Sequence, residues 1–297
     1  KHTPNLDRLA AQGMIFDNAF CPNGFCSPCR ASLLTGLLPS QHGVHSWIDD
    51  RQMDQWPANW HALDGLHTLP ARLQAAGYKT ALSGKYHLGN PTEAMPGFDY
   101  WCTMADGHVR SFYRNEITEN GETYSYEGHS VDFFTQKGIS FIEQQVTAEQ
   151  PFFLYLPFTA AHWPLHAPVK DIEKYKGVFS KGWDQLRSKR LELMKKLGVI
   201  DKSVKLSSRH RKVPSWKDEK HKDWQERRME VYAAQVTSMD RVIGNVIQYL
   251  EKIGKLNDTL IFFTIDNGGC HVEYPPQRKG DYLPQKTRRG EPMQPGN

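Results

Sequence analysis

Long apolar runs are missing from this 297-residue chain. No stretch of 18 or more apolar residues occurs, so no helix-length membrane span is written in it. Cysteine is scarce at five residues, which excludes a disulfide scaffold in a chain this long. No internal repeat and no low-complexity tract is present, so neither a solenoid nor a largely disordered chain is expected. An initiating methionine and a charged-then-apolar leader are also missing. Lys1 stands first, so a mature form or a fragment is expected, and the compartment cannot be read from these residues.

Excess charge of one sign is slight overall, at +4, but uneven. Between His166 and Arg228 stand 19 Lys and Arg against 9 Asp and Glu, a local +10, which leaves −6 for the remainder. Such a block suits an anionic ligand. It contains no nucleic-acid-binding motif, so it is read as a solvated helical insertion and no nucleic-acid partner is expected. The composition that remains, 39% hydrophobic and 24% charged, is that of an ordinary globular domain with a sizeable core.

Helix and strand signals alternate. In "TPNLDRLAAQG", Thr3 offers an N-cap, Pro4 suits the first turn and Gly13 a stop. The short apolar run "MIFDNAF" reads as a strand. "CSPCRASLLTG" reads as a helix with Pro28 near its start and Gly36 past its end. "HTLPARLQAAGYKTALSGKYHLG" reads as helix, glycine stop, strand and loop. "SVDFFTQKGISFIEQQ" is a helix weakened by Gly138, leading into the strand "PFFLYLPF". The clearest helix carries Tyr232, Val236, Met239, Ile243, Val246, Leu250 and Ile253 at alternating spacings of four and three. "TLIFFTI" follows as a strand with almost no polar residue, and the Pro- and Gly-rich tail reads as loop. Strands apolar on both faces and preceded by helices predict an α/β fold, a mostly parallel sheet sandwiched by helices.

Ligands of open parallel sheets bind beyond the carboxyl ends of the strands. Lys85 and His87 follow one predicted strand, His162 another, and Asp266 and Asn267 a third. The loop bearing Cys26 and Arg30 is placed to reach the same edge. Each residue alone has a bland reading, "DNGG" above all as a simple turn. Convergence of three strand ends on one edge favours a site. The cysteines admit three readings. Cys21, Cys26 and Cys29 match a C-x4-C-x2-C iron–sulfur spacing, but a fourth ligand would have to be the remote Cys102 or Cys270. Cys26 and Cys29 form a C-x-x-C pair at a helix start, as in redox dithiols, and no second pair is present for zinc. The third reading is a modified nucleophile.

That third reading rests on a resemblance. "CSPCRASLLTG" resembles the signature of the type I sulfatases, C-x-P-x-R followed by an apolar pair, Thr and Gly. "TPNLDRLAAQG", "GKYHLG", "AAHWPLHAP" and "TIDNGG" are similar to family motifs in the same order, and the later segments look most like the arylsulfatase branch. The resemblance implies oxidation of Cys26 to formylglycine by a separate generating enzyme. It also implies an alkaline-phosphatase-like fold and hydrolysis of sulfate monoesters. By the same resemblance Arg30 and Lys85 would hold nucleophile and sulfate, His87 would act as base, and His162 would help the alcohol leave. Asp266, Asn267 and modified Cys26 would ligate a divalent metal, calcium for preference. A periplasmic or secreted location is implied as well.

The chain departs from that pattern in three places. Cys29 stands where the family has Ser, Ala or Thr, and is read as a small buried thiol. No Asp-Asp pair precedes Thr3. No later lysine in the family context follows unless Lys279 or Lys286 substitutes. Residues 1–297 are therefore expected to form one incomplete sulfatase catalytic domain, with 170–228 a basic helical insertion, lacking the first strand and the C-terminal subdomain. Weak metal binding and little activity are expected of the isolated chain. Trp47, Asp49, Arg51, His166 and the basic insertion are candidates for a sugar subsite. The alternatives are a phosphonate monoester or phosphodiester hydrolase on the same site, a non-catalytic sulfoglycan-binding relative, and the iron–sulfur or redox protein.

Overall fold

The computed structural model describes residues 2–57 and 59–269. In chain order the helices and strands are α1 (Pro4–Gln12), α2 (Cys26–Thr35), α3 (Pro39–His42), α4 (Leu69–Ala75), β1 (Lys79–Ser83), β2 (Tyr100–Met104), β3 (Arg114–Glu119), β4 (Glu122–Glu127), α5 (Ser130–Thr147), β5 (Phe152–Tyr155), α6 (Val169–Ile172), α7 (Gly182–Lys196) and α8 (Lys222–Lys252).

The five strands form one mixed sheet in the order β4-β3-β2-β1-β5. β2, β1 and β5 are parallel, with Ala81 opposite Tyr100 and Lys79 opposite Phe152. β3 and β4 add an antiparallel hairpin. Its two-residue turn is Asn120-Gly121, both at positive φ, the chemistry such a tight hairpin demands. β2 shows the pleat: Trp101 enters one core cluster with Ala31 and Leu34 of α2, while Cys102 and Met104 enter the other with Phe134 of α5. The sheet is thus covered on both faces, the α/β sandwich expected from the alternation of signals.

Gly138, which weakens α5 on propensity, has a packing reason. A Cβ there would stand 3.1 Å from Leu154 Cδ2, so its absence lets α5 settle on β5. α8 crosses α1 closely at Gly244, where a Cβ would meet the Asn5 side chain at 2.5 Å. Thr3 occupies the N-cap of α1 but makes no capping hydrogen bond. Asp240 of α8 takes that role, accepting from the amides of Leu6 at 2.8 Å and Asn5 at 3.2 Å. The expected 4-3 stripe of α8 is only part of its buried surface. Ala234, Gln235, Ser238 and Asp240 are more deeply buried than Tyr232 or Val236, because α1, α5 and α6 pack around several sides of the helix.

Two strand expectations fail. "MIFDNAF" is irregular, with Met14, Phe16 and Phe20 at 76%, 66% and 85% exposure, and residues 259–265 form no strand, Leu260 and Phe262 being about as exposed. Both runs have strand composition, but neither finds a partner among the described residues, and a strand is stabilised by pairing rather than by its own residues. Within 170–228, α6, α7 and the first turns of α8 are helical, residues 201–221 are irregular, and α7 buries only Gly182. No helix among the described residues is long and apolar enough to cross a membrane.

Candidate active site

The parallel strands put their carboxyl ends on one edge, and the candidate residues gather there. α2 begins at Cys26, and Arg30 follows one turn later on the same side. The Arg30 side chain is 6% exposed and spans the site. Nη1 donates to the Lys85 carbonyl at 2.7 Å and Nη2 to Asp266 Oδ2 at 2.7 Å. Burial disfavours its charge, but Tyr155, Asp266 and Cys26 outweigh that and hold the guanidinium above its ordinary pKa.

Lys85 leaves β1 through Gly84, whose φ is +138°. A Cβ at Gly84 would stand 2.2 Å from the Pro157 carbonyl oxygen, so only glycine lets β1 and the end of β5 run this close into the site. The Lys85 amide then donates to that carbonyl at 2.9 Å. The buried Lys85 ammonium reaches the Cys26 thiol. Burial lowers its pKa, Cys26 and Asp266 oppose the shift, and Arg30 reinforces it.

Two of the predicted residues are histidines whose tautomers are fixed by backbone carbonyls. His87, in the left-handed region at φ 58°, donates from Nε2 to the Ile48 carbonyl at 3.0 Å. Its Nδ1 is therefore the bare nitrogen, buried and without a partner among the described residues. His162 donates from Nδ1 to the Trp163 carbonyl at 2.8 Å. Burial, with Lys85 next, pushes His87 well below the ordinary histidine value and His162 to about 4. The loop carrying His162 is gathered by Gln235 of α8, whose Nε2 approaches the carbonyls of His162, Pro164 and His166 at 3.0–3.2 Å.

Sequence reasoning missed His108, which belongs to the same cluster. Its ring lies 4.8 Å from that of His162 and 5.4 Å from that of His87. β2 delivers it. The signal was there in "YWCTMADGH", an apolar strand followed by a turn, but no helix precedes it closely enough to mark it as a βα unit. Trp47 packs its ring edge against His87 at 6.1 Å, on the rim of the cluster. His166 lies against Phe112 and Tyr113. Arg228 stacks over Trp163 at 5.0 Å, which joins the start of α8 to the site.

Oxygen donors for a hard cation are present in kind. Asn267 Oδ1 is buried without a partner among the described residues, and its neighbour Asp266 presents a carboxylate with one oxygen on Arg30. The number falls short: no group of three or more metal-binding side chains occurs among the described residues, while calcium takes six to eight oxygens. The thiols do not form a cluster-binding set. Cys29 is 5% exposed, donates to the Asn23 carbonyl at 2.7 Å, and burial pushes it up to about 11, a neutral thiol. Cys102 is fully buried in the core beside Phe134. Cys270, Lys279 and Lys286 lie outside the described residues.

Comparison with known proteins gives this arrangement a lineage. The sulfatase family model matches residues 1–292. The chain belongs to the sulfatase family. It is 35% identical to an uncharacterised sulfatase of Schizosaccharomyces pombe over 90% of this chain and 53% of that protein. It is 30% identical to the arylsulfatase of Klebsiella aerogenes over 90% of this chain and 61% of that one. A structure solved with its substrate D-glucosamine-2-N,6-O-disulfate shares the fold at a TM-score of 0.59 and 24% identity, over 86% of this chain and 58% of that chain. This sulfatase chain thus spans about half the length of the curated relatives it matches.

Proposed function

We propose that this chain carries most of the catalytic centre of a sulfate monoester hydrolase whose nucleophile is a formylglycine made from Cys26 by a separate generating enzyme. The observation that supports it best is the buried Arg30 fork. One guanidinium ties the helix that starts at Cys26 to the backbone of Lys85 and to Asp266, so three segments remote in sequence meet at a single buried cation. A hydrated aldehyde at position 26 would supply two hydroxyls on one carbon, one to attack sulfur and one whose loss of a proton releases sulfate.

The other residues divide the work by their chemistry. Arg30 stays charged and presents a fixed fork, which suits it to hold oxygens at position 26. Lys85 is a buried cation that places its ammonium between that position and a sulfate oxygen. His87 offers its bare Nδ1 as the base for the second hydroxyl. His162 is held neutral because burial and Lys85 disfavour a second cation. A bound sulfate anion reverses that balance, so His162 gains the proton it gives to the departing oxygen. Asp266 and Asn267 would hold part of the shell of a divalent cation, calcium for preference, which would lower the pKa of a bound hydroxyl.

The test uses the full-length protein co-expressed with a formylglycine-generating enzyme. The peptide spanning Cys26 should have the mass of the aldehyde, and an aryl sulfate should be turned over faster than the matching phosphonate monoester or phosphodiester. Intact thiol in active protein would overturn the nucleophile. Preference for a phosphorus ester would move the protein to the rival activity, and intact thiol without turnover would leave a sulfoglycan-binding relative.

A further inference from the structure

His108 enters the site by a route as constrained as those of the predicted residues. β2 ends at Met104, and a tight turn follows in which the Gly107 amide donates to the Met104 carbonyl at 3.1 Å. Gly107 lies at φ +72°, and a Cβ there would meet Asp50 Cβ at 3.2 Å, so the turn is built for glycine. Behind it Val109 and Phe112 are fully buried anchors. His108 itself is 6% exposed, its Nδ1 donates to the Val109 carbonyl at 3.1 Å, and its ring is held between those of His87 and His162.

The ring so fixed is the middle of three. It meets His162 edge-on at a centroid distance of 4.8 Å and 69°, and His87 at 5.4 Å and 83°. These contacts matter because of how His162 is otherwise held. Its side chain has one hydrogen bond among the described residues, to the carbonyl of the very next residue. A single local bond fixes the tautomer but leaves the ring free to rock about that bond. The edge-on imidazole of His108 supplies the second restraint, and two restraints define a plane. A proton donor must meet the leaving oxygen at hydrogen-bond distance and in line, so the plane of the His162 ring decides whether it can deliver.

We propose that His108 is a positioning residue that sets the plane of the His162 ring for protonation of the leaving alcohol. The inference rests on the sulfatase reading of this site. Burial and the nearby Lys85 hold His108 neutral, so it adds no second cation to compete for the sulfate. Its contribution is therefore to the geometry of a proton donor, not to binding the anion, and that distinction is measurable. Protonation of the leaving oxygen matters greatly for an alkyl or sugar alcohol and little for nitrophenolate, which leaves unaided.

The experiment compares the full-length, formylglycine-bearing wild type with His108→Asn and His108→Phe on an alkyl sulfate and on 4-nitrophenyl sulfate. Asn can keep the bond to the Val109 carbonyl and loses the ring, whereas Phe keeps an aromatic edge and loses the bond. His108→Asn should lower kcat on the alkyl sulfate about 100-fold, the size of a misdirected general acid, and on the nitrophenyl ester less than about threefold, with KM little changed. His108→Phe should recover most of the alkyl sulfate activity. Thermal melting of each variant separates folding from function. Equal losses on both esters, or no loss on either, would overturn the positioning role while leaving the sulfatase reading intact. A wild type that hydrolyses neither ester would overturn that reading and this proposal with it.

Discussion

Burying three imidazoles beside one lysine should make the protein labile to acid, and the effect can be sized for His162. Its folded pKa of about 4 lies below the ordinary histidine value of about 6.5 expected in the unfolded chain, through burial first and Lys85 second. Above pH 6.5 the ring is neutral in both states and contributes no pH dependence. Below 6.5 the unfolded chain binds a proton that the folded one refuses, so stability falls as pH falls, down to the folded pKa. At pH 4.5 the difference amounts to about 2.5 kcal/mol for this one group. His87 and His108 are also lowered, so they act in the same direction. Urea unfolding of wild type and His162→Gln at pH 7.5 and 4.5 tests it. Carboxylates contribute equally to both proteins, so the loss between the two pH values should be about 2.5 kcal/mol smaller in the variant. Identical losses within about 0.5 kcal/mol would refute the reasoning, because then the folded site accepts the proton as readily as water does.

Two further perturbations probe the frame. Gly84→Ala forces a Cβ to within 2.2 Å of the Pro157 carbonyl at a φ of +138°, and should cost at least about 2 kcal/mol in urea unfolding; a variant as stable as wild type would mean that β1 and β5 can separate freely at the site. Arg30→Ala and Asp266→Ala should each destabilise, but the double variant should cost about 1–3 kcal/mol less than the sum of the two; additive losses would mean that the ion pair does not bind the two segments together.

The core of the fold was legible because its signals are local. β1 is buried on both faces and follows a helix with a glycine stop, and α8 repeats its apolar spacing for six steps. The hairpin β3–β4 was not read, although Asn120-Gly121 announces its turn, because β4 is an edge strand with exposed Glu122 and Thr123 and β3 has Ile117 as its one apolar residue, so neither is an apolar run. Lys85, His87, His162 and Asp266 were singled out by a rule of position, and the structure brings them together around Arg30. His108 escaped that rule because its strand escaped it. Asp240 as the cap of α1 is 235 residues from Asn5, and no local pattern encodes a contact so distant.

The segment before Asp266 shows where such rules stop. Its residues have the composition of a central strand, yet a period describes what a segment can do, whereas a sheet is made by what lies beside it. Among the described residues 259–265 have no strand beside them, and the arm is tied at its end instead. Cys21 Sγ donates to the Ile265 carbonyl at 3.0 Å, and Arg30 takes the Asp266 carboxylate at 2.7 Å. Side-chain chemistry thus places Asp266 where strand pairing does not. The position of a site residue can therefore be right for a reason other than the one that predicted it. The expectation relied on the sheet edge. In the structure it is the charge of Arg30, 6% exposed and one turn from Cys26, that holds Asp266 in the site.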